Sequence, residues 1–405
     1  MFDPDFRFPY TGGMDTFNFA RTPHIYFGIG EIDTLANRLI TAGRSRVLLL
    51  TGRSSFRDTD GWATLTGRLR AAGVTLDDHI VTGEPTVETV DAIAAEWREK
   101  APDAVVAVGG GSVIDTGKAV SAMIRSEGSI RDYLEGVGDK NPTGEKIPVY
   151  AAPTTAGTGT ETTKNAVISK VAEGGFKKSL RHDNYVPDAA VIDPELTRSC
   201  PMNVTAASGM DAITQLLESF VSAAAGPMTD ALVMTGLMTA GRSFERAVKQ
   251  GDSDIEARKD MSYAAAMSGL GLANAGLGIV HGFASSIGGM FPIPHGTVCG
   301  TLLSAATEVI IDKLFDLEEE NNTALIKYAE AGKYLSLRDY GTVEDNCRAL
   351  VDTLARWTEE FSLDRLGVYG ITDTDIPVIC DKTGRKNTPV DLETGDLIEI
   401  LAARL

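Results

Sequence analysis

Short apolar runs alternate with helix-patterned segments over the first half of the chain, and this alternation constrains the fold more than any other feature. Such runs are typical of strands that are buried on both faces of a parallel sheet. Strands that alternate with helices form βαβ units, so the pattern predicts a doubly wound, Rossmann-like α/β domain. The expected strands are 46–51, 78–81, 104–108, 149–152 and 188–193.

Beyond residue 197 the pattern changes to long segments rich in alanine, leucine and methionine with helical spacing. A chain of 405 residues is too long for one hydrophobic core. We therefore expect two domains, an α/β nucleotide-binding domain over 1–197 and an all-α helical domain over 198–405. The expected helices of the second domain are 204–222, 228–248, 255–272, 324–334, 343–360 and 395–404.

The N-terminal region is aromatic. Residues 1–15 show no clear periodicity and are expected to form a loose lead-in, whereas the aromatic and β-branched residues of 16–27 favour a hairpin. The edge of such a hairpin could add to the sheet of a second copy, which suggests a homodimer.

The formal net charge of −18 argues against nucleic acid and anionic membrane surfaces as partners, because both require basic protein surfaces. Four cysteines lie far apart without a CxxC pair, which favours reduced thiols in a cytoplasmic protein. No apolar stretch is long enough for a membrane-spanning helix, and Asp3 and Asp5 do not suit a secretory signal.

Two of the five histidines, His281 and His295, bracket a segment rich in apolar residues and glycine. Asp211 and Gln215 are four residues apart in a predicted helix, so their side chains share one face. One carboxylate, one amide oxygen and two imidazoles could enclose a divalent ion. The alternative is that each histidine is simply a packed loop residue.

A glycine-rich turn, Gly109–Ser112, directly follows the third predicted strand and precedes a helix. Glycines allow close backbone approach, and a helix N-terminus offers unpaired N–H groups to a pyrophosphate. An ordinary tight turn explains the same residues. The loop 153–161 is rich in threonine and could surround a nicotinamide, or its hydroxyls could satisfy their own backbone.

Four segments together resemble the iron-containing (group III) alcohol dehydrogenase family. They are 109–118, 153–161, 209–215 and 281–296, and they occur in the family's order. The resemblance implies the dehydroquinate synthase-like fold of that family, with a metal between an N-terminal nucleotide-binding domain and a C-terminal helical domain.

The resemblance also implies a role for individual residues. Asp211, His281 and His295 would be catalytic and would hold Fe²⁺ or Zn²⁺ together with Gln215. NADP or NAD would contact the two loops. The full set of expected cofactor contacts is Gly52, Arg53, Ser54, Gly110, Gly111, Ser112, Asp115, Thr154, Thr155, Thr158, Asn165 and Lys177.

This chain departs from the family at two positions. Gln215 and Ser285 stand where family members usually have histidine. An amide oxygen is a weaker donor than imidazole, so weaker metal binding is expected. The residues after strand 46–51 are Gly52, Arg53 and Ser54, without the acid that would repel a 2′-phosphate, which favours NADP.

The predicted reaction is metal-dependent hydride transfer between a nicotinamide and a small alcohol or aldehyde. One alternative is a lyase like dehydroquinate synthase, but such an enzyme needs a basic pocket, and 261–300 contains no lysine or arginine. Another alternative is a nucleotide-binding protein with an impaired metal site.

Overall fold

The computed structural model describes residues 16–172, 174–319 and 322–405, so the predicted lead-in at 1–15 lies outside the described residues. The strands are β1 (His24–Phe27), β2 (Arg46–Thr51), β3 (Thr75–Ile80), β4 (Ala104–Gly109), β5 (Val149–Pro153), β6 (Asn165–Lys170), β7 (Phe176–Arg181) and β8 (Ala189–Ile192). The first four helices are α1 (Leu35–Thr41), α2 (Asp60–Ala71), α3 (Val87–Lys100) and α4 (Gly111–Met123).

The other helices lie in the second half of the chain. They are α5 (Met202–Val221), α6 (Pro227–Gln250), α7 (Ile255–Ala275), α8 (Ile279–Met290), α9 (His295–Asp316), α10 (Thr323–Ser336), α11 (Val343–Glu360), α12 (Ile376–Lys382) and α13 (Thr394–Ala402). Short 3-10 turns cover Glu31–Thr34, Ile130–Tyr133, Thr160–Thr162, Asp183–Tyr185, Pro194–Thr197 and Leu366–Tyr369.

Six strands form one parallel sheet in the order β1-β8-β5-β4-β2-β3. Side chains alternate between its faces. Leu48 and Leu50 pack with α3 and α4, whereas Val47 and Leu49 pack with α1 and α2. Helices therefore cover both faces, as the continuous apolar runs predicted, and the expected fold class is confirmed.

The predicted N-terminal hairpin is wrong. Only His24–Phe27 forms a strand, and β1 pairs in parallel with β8, some 160 residues further along the chain. β1 is an edge strand of the large sheet, and its aromatic residues Tyr26 and Phe27 pack against different hydrophobic cores. The hairpin that does form, β6 with β7, is antiparallel and had not been predicted.

The helical half has one continuous core that also includes Ala190 and Ile192 of β8. Trp357 of α11 is fully buried there and packs edge-to-face on Phe244 of α6, with ring centroids 5.0 Å apart. Among the described residues, no single helix is long and apolar enough to cross a bilayer, and only the pair α7 and α8, bent by 96°, reaches that length and composition together.

A seam of two glycines joins the two halves. A Cβ at Gly269 of α7 would lie 2.2 Å from the carbonyl oxygen of Gly159, in the loop after β5. Gly159 itself has a positive φ of 56°. The backbone of α7 therefore lies directly against this loop, at a distance that only glycine permits.

Both histidines of the candidate metal site lie on helices, although no helix was predicted over 281–295. His281 lies in the first turn of α8, and His295 is the first residue of α9, where Pro294 precedes it. Proline suits the residues around a helix start because its φ is already fixed near helical values. The segment thus consists of two helices, α8 and α9, joined by a short turn, and both imidazoles face Asp211 of α5.

Candidate metal centre and cofactor cleft

One face of α5 carries three buried polar side chains, Asp211, Gln215 and Glu218. Their spacing of four and three residues places them on neighbouring turns. Asp211 is only 1% exposed, and its neighbours on α5, Met210 and Ala212, are buried apolar residues. A carboxylate at such a position is costly to bury unless something compensates its charge.

The two histidines converge on Asp211. The Nε2 atoms of His281 and His295 lie 3.4 Å and 3.7 Å from Asp211 Oδ1, and the ring centroids are 5.4 Å apart. Asp211 Oδ1 is buried yet has no hydrogen-bond partner. A buried, unpartnered carboxylate oxygen facing two imidazole nitrogens fits a divalent transition-metal ion, so these residues suit the metal that the sequence predicted.

Glu218, which sequence reasoning missed, orients His281. Its Oε2 lies 2.7 Å from His281 Nδ1, and its Oε1 accepts a hydrogen bond of 2.7 Å from the Val280 N–H. The carboxylate therefore holds the Nδ1 proton and leaves Nε2 free to face Asp211. The sequence did contain a signal for Glu218. It is a carboxylate in a mainly apolar helix, seven residues after the candidate ligand Asp211.

Cys299 is a second residue that the sequence analysis missed. It is fully buried one turn after His295 on α9, and its Sγ lies 3.7 Å from His281 Nε2 and 3.8 Å from His295 Nε2. The ligand atoms of Asp211, His281, His295 and Cys299 all lie within 4.8 Å of one another. Gln215 faces α7, where its Oε1 lies 3.5 Å from Ser268 Oγ.

Mutual contacts set the proton affinities of this cluster. Burial would raise the pKa of Asp211, but the two imidazoles lower it to about 2. Burial lowers the pKa of His295 to about 4 and raises that of the Cys299 thiol to about 12. Burial disfavours a charged His281, but Cys299, Asp211 and Glu218 together raise its pKa well above the ordinary value. A cation entering this site therefore competes with a proton on His281.

The loops after β2, β4 and β5 lie together at one edge of the sheet. Thr51 pairs with Val108, and Gly109 pairs with Pro153, so the three strands end side by side. The strand order reverses between β2 and β4, since β3 lies on one side and β5 on the other. Ligands of doubly wound sheets bind at such a point, outside the carboxyl ends of the strands.

The glycine turn and the threonine-rich loop pack against each other. A Cβ at Gly111 would lie 2.9 Å from Thr158 Oγ1, and one at Gly110 would lie 3.5 Å from Thr155 Oγ1. Gly111 and Ser112 begin α4, where the first N–H groups have no intrahelical acceptor. Thr154 is buried and donates its N–H to the Gly109 carbonyl. These predicted cofactor residues therefore lie next to one another at the carboxyl edge of the sheet.

Asp115 and Asn165 lie within a buried network beside this cleft. Asp115 accepts hydrogen bonds from the Thr160 hydroxyl and, at 3.0 Å, from the Val167 N–H. Lys118 is 1% exposed, forms a 3.0 Å ion pair with Asp115 and donates to the Asn165 carbonyl. The network ties α4 to the loop after β5 and to β6.

Two lysines approach the histidines from segments outside 261–300. Lys177 of β7 forms a 2.5 Å ion pair with Glu84, and its side chain lies against Gly288 of α8. Lys386 donates a 2.9 Å hydrogen bond to the His281 carbonyl. The site is thus less poor in basic groups than the local sequence suggested.

The loop after β2 presents exposed polar residues at the same sheet edge. Arg53 and Ser54 are exposed, and Gly52 precedes them. Arg57, which was not predicted, donates to Thr51 Oγ1 at 2.7 Å and forms an ion pair with Asp78 of the neighbouring strand β3. No acid follows β2 directly. Asp78 of the neighbouring strand β3 lies close to the loop, but it is paired with Arg57.

The sequence matches two family profiles in succession. Residues 22–194 match the profile described as iron-containing alcohol dehydrogenase. Residues 205–405 match the profile of the C-terminal region of the Fe-containing alcohol dehydrogenase family.

The chain is also similar to individual alcohol dehydrogenases and to a related solved structure. The chain is 33% identical over 305 residues to the NAD-dependent methanol dehydrogenase of Bacillus methanolicus, covering 72% of this chain and 77% of that protein. It is 32% identical over 342 residues to the NADPH-dependent butanol dehydrogenase of Clostridium saccharobutylicum, covering 84% and 81%. A crystal structure of 1,3-propanediol oxidoreductase superposes with a TM-score of 0.86 and 27% identity, over 96% of this chain and 100% of that one.

Proposed function

The chain belongs to the iron-containing alcohol dehydrogenase family, and from this premise we propose which of its residues hold the metal, the cofactor and the substrate. The protein is an NAD(P)-linked oxidoreductase that interconverts alcohols and aldehydes with the help of a divalent metal ion. The two relatives described above are named as dehydrogenases, which favours this reaction over the lyase alternative.

We assign the cation to Asp211, His281 and His295, whereas the amide oxygen of Gln215, which the family resemblance also implied as a ligand, faces Ser268 of α7. One observation carries this assignment, namely that Asp211 Oδ1 is buried without a hydrogen-bond partner and faces both Nε2 atoms. Asp211 supplies negative charge, and Glu218 fixes the ring of His281. His295 has a side chain 28% exposed and therefore marks the side of the site from which substrate enters.

The protein's own groups bind and orient the reactants. When bound, the nicotinamide exchanges a hydride with the substrate carbon, and the divalent cation supplies Lewis acidity toward the substrate oxygen. The N–H groups at the start of α4 hold the pyrophosphate, and Thr154 and Thr158 line the nicotinamide side of the cleft. The surrounding apolar core of α5, α8 and α9 excludes water from the reacting atoms.

Replacing His281 with alanine tests the metal assignment. We expect loss of bound metal, measured by elemental analysis, together with loss of aldehyde reduction. His24→Ala is the matched control, because His24 is exposed on β1 and should change neither quantity. Full turnover in the His281→Ala enzyme would refute the assignment. Nucleotide binding without turnover in the unmodified enzyme would favour the non-catalytic alternative.

For the cofactor we propose NADP(H). The exposed Arg53 and Ser54 follow β2 at the carboxyl edge of the sheet, and residues 52–55 contain no carboxylate. A guanidinium can pair with a 2′-phosphate in a bidentate manner. Steady-state KM values for NADPH and NADH decide the matter, and a strong preference for NADH would overturn this proposal.

We also propose that the enzyme is a homodimer. β1 is an edge strand, and Ile25 on it and Phe17 before it are exposed at 36% and 41%. Within the described residues β1 pairs on one side only, and such an edge with exposed apolar side chains suits pairing with a second copy. Light scattering coupled to gel filtration gives the mass directly, and a monomer at micromolar concentration would contradict this.

A further inference from the structure

We propose that Cys299 is a fourth protein donor to the cation, with its thiolate sulfur joining Asp211, His281 and His295. The inference rests on the metal site of the proposed function and adds a ligand that the family pattern does not supply. Cys299 follows His295 by four residues on α9, so the two side chains lie on the same side of that helix.

Four of the six separations between the donor atoms match those of a tetrahedral metal site, and all six are within 4.8 Å. With zinc bonds of about 2.0–2.1 Å to nitrogen or oxygen and about 2.3 Å to sulfur, tetrahedral geometry places nitrogen and oxygen donors about 3.3 Å apart and nitrogen and sulfur about 3.6 Å apart. The structure has 3.4 Å and 3.7 Å from Asp211 Oδ1 to the two Nε2 atoms. Cys299 Sγ lies 3.7 Å and 3.8 Å from the same nitrogens.

The charge of the set also fits. Asp211 and a Cys299 thiolate carry two negative charges, which equal the charge of a divalent cation. Asp211 with Gln215 would carry only one. The Glu218 carboxylate on the far side of the His281 ring is offset by Lys386, which donates to the His281 carbonyl. A buried site holds a cation best when the charges cancel locally, because solvent does not screen the remainder.

Softness of the donors narrows the class of ion. A thiolate with two imidazoles suits Zn²⁺, Co²⁺ or Fe²⁺ and disfavours Mg²⁺ or Ca²⁺, which prefer oxygen. On binding, the thiol proton leaves to solvent as the sulfur lone pair forms the bond to the cation, and no electron is transferred.

Two of the other three cysteines, Cys347 and Cys200, lie in different surroundings. Cys347 Sγ donates to the Leu325 carbonyl at 3.6 Å, as a buried structural thiol does. Cys200 is only partly buried, before α5 begins. Among the described residues, Cys299 alone belongs to a group of histidine, cysteine and acidic side chains close enough to share one metal ion.

Cobalt substitution tests the inference spectroscopically, without reference to turnover. The purified enzyme is exchanged with Co²⁺, and its near-ultraviolet absorption is compared with that of Cys299→Ser and Cys200→Ser. We expect a thiolate-to-cobalt charge-transfer band in the unmodified enzyme and in Cys200→Ser, and its loss in Cys299→Ser. X-ray absorption of the Zn²⁺ form should show one sulfur at about 2.3 Å.

Affinity gives a second readout. Competition with a chelating dye should show Zn²⁺ binding to Cys299→Ser weakened by about 100-fold or more, exceeding the roughly 10–100-fold effect of losing an outer-shell partner. Circular dichroism shows whether Cys299→Ser is folded. If this variant does not fold, the cobalt and X-ray absorption spectra of the unmodified enzyme still show whether a sulfur atom binds the metal.

The outcomes separate this inference from the one it builds on. Bound Co²⁺ without a charge-transfer band in the unmodified enzyme would overturn the role of Cys299 while leaving the metal site intact. A band that persists in Cys299→Ser would overturn it equally. Failure of the unmodified enzyme to bind Co²⁺ or Zn²⁺ at all would overturn both.

Discussion

Glu218→Gln should weaken metal binding although Glu218 does not belong to the proposed ligand set. Glu218 uses both carboxylate oxygens, one toward His281 Nδ1 and one toward the Val280 N–H, each at 2.7 Å. Glutamine has the same size but a single oxygen, so one of these two donors loses its acceptor. Packing is preserved, because Gly278 already leaves space beside Oε1.

The expected loss of metal affinity follows from the contact between Glu218 and His281. Removing the partner that orients a ligating histidine typically lowers metal affinity by about 10–100-fold, which corresponds to about 1.4–2.7 kcal/mol. Because Glu218 is only 7% exposed, we expect little screening by solvent and an effect near the upper end of this range.

Competitive titration of Zn²⁺ between the enzyme and a chelating dye measures the effect. The matched control is Ser285→Ala on α8, the helix of His281, since the Ser285 hydroxyl donates to the backbone carbonyl of His281 at 2.8 Å and leaves the ring untouched. The control should bind Zn²⁺ as the unmodified enzyme does. A Kd for Glu218→Gln within about twofold of the unmodified value would refute the reasoning.

Three further predictions concern stability and cofactor choice. Burial raises the pKa of Glu161 to about 7, so the free energy of unfolding should fall as pH rises from about 4.5 to about 7. Glu161→Gln cannot ionise and should remove this decline, gaining up to roughly 3 kcal/mol on the unmodified protein between pH 5 and pH 8 in denaturant titrations; parallel pH profiles would contradict this. Gly269→Ala should lower stability by roughly 1–3 kcal/mol, because its Cβ would meet the Gly159 carbonyl, whereas Gly67→Ala, with no neighbour within 4 Å, should raise it by about 0.5–1 kcal/mol. Arg53→Ala should raise KM for NADPH by about tenfold and leave KM for NADH unchanged, and an equal rise for both would argue against a 2′-phosphate contact.

The large sheet could be predicted because strands buried on both faces leave a local signal. Residues 47–50 and 104–108 are uninterrupted apolar runs, and both are fully buried. The pairing of β1 with β8 left no such signal, because register between strands so far apart depends on the folded sheet. The helices α8 and α9 were missed because glycine and proline normally interrupt helices. In α8, however, Gly289 lies close to the backbone of Phe176, so its missing side chain serves packing.

Part of the candidate site was recoverable from residue type alone. A carboxylate and two histidines in apolar surroundings pointed to a metal, and the structure brings Asp211, His281 and His295 together. Cys299 escaped because cysteines were judged by their spacing from one another. The informative spacing is the four residues between His295 and Cys299. It places the two side chains together only if the segment is helical, and no helix was predicted there.

The paired glycines at 159 and 269 also limit how such a protein can change over time. Neither position accepts even a methyl group unless the backbone opposite moves away. A chimaera that joins the sheet half of one chain to the helical half of another therefore keeps this contact only where both positions remain glycine.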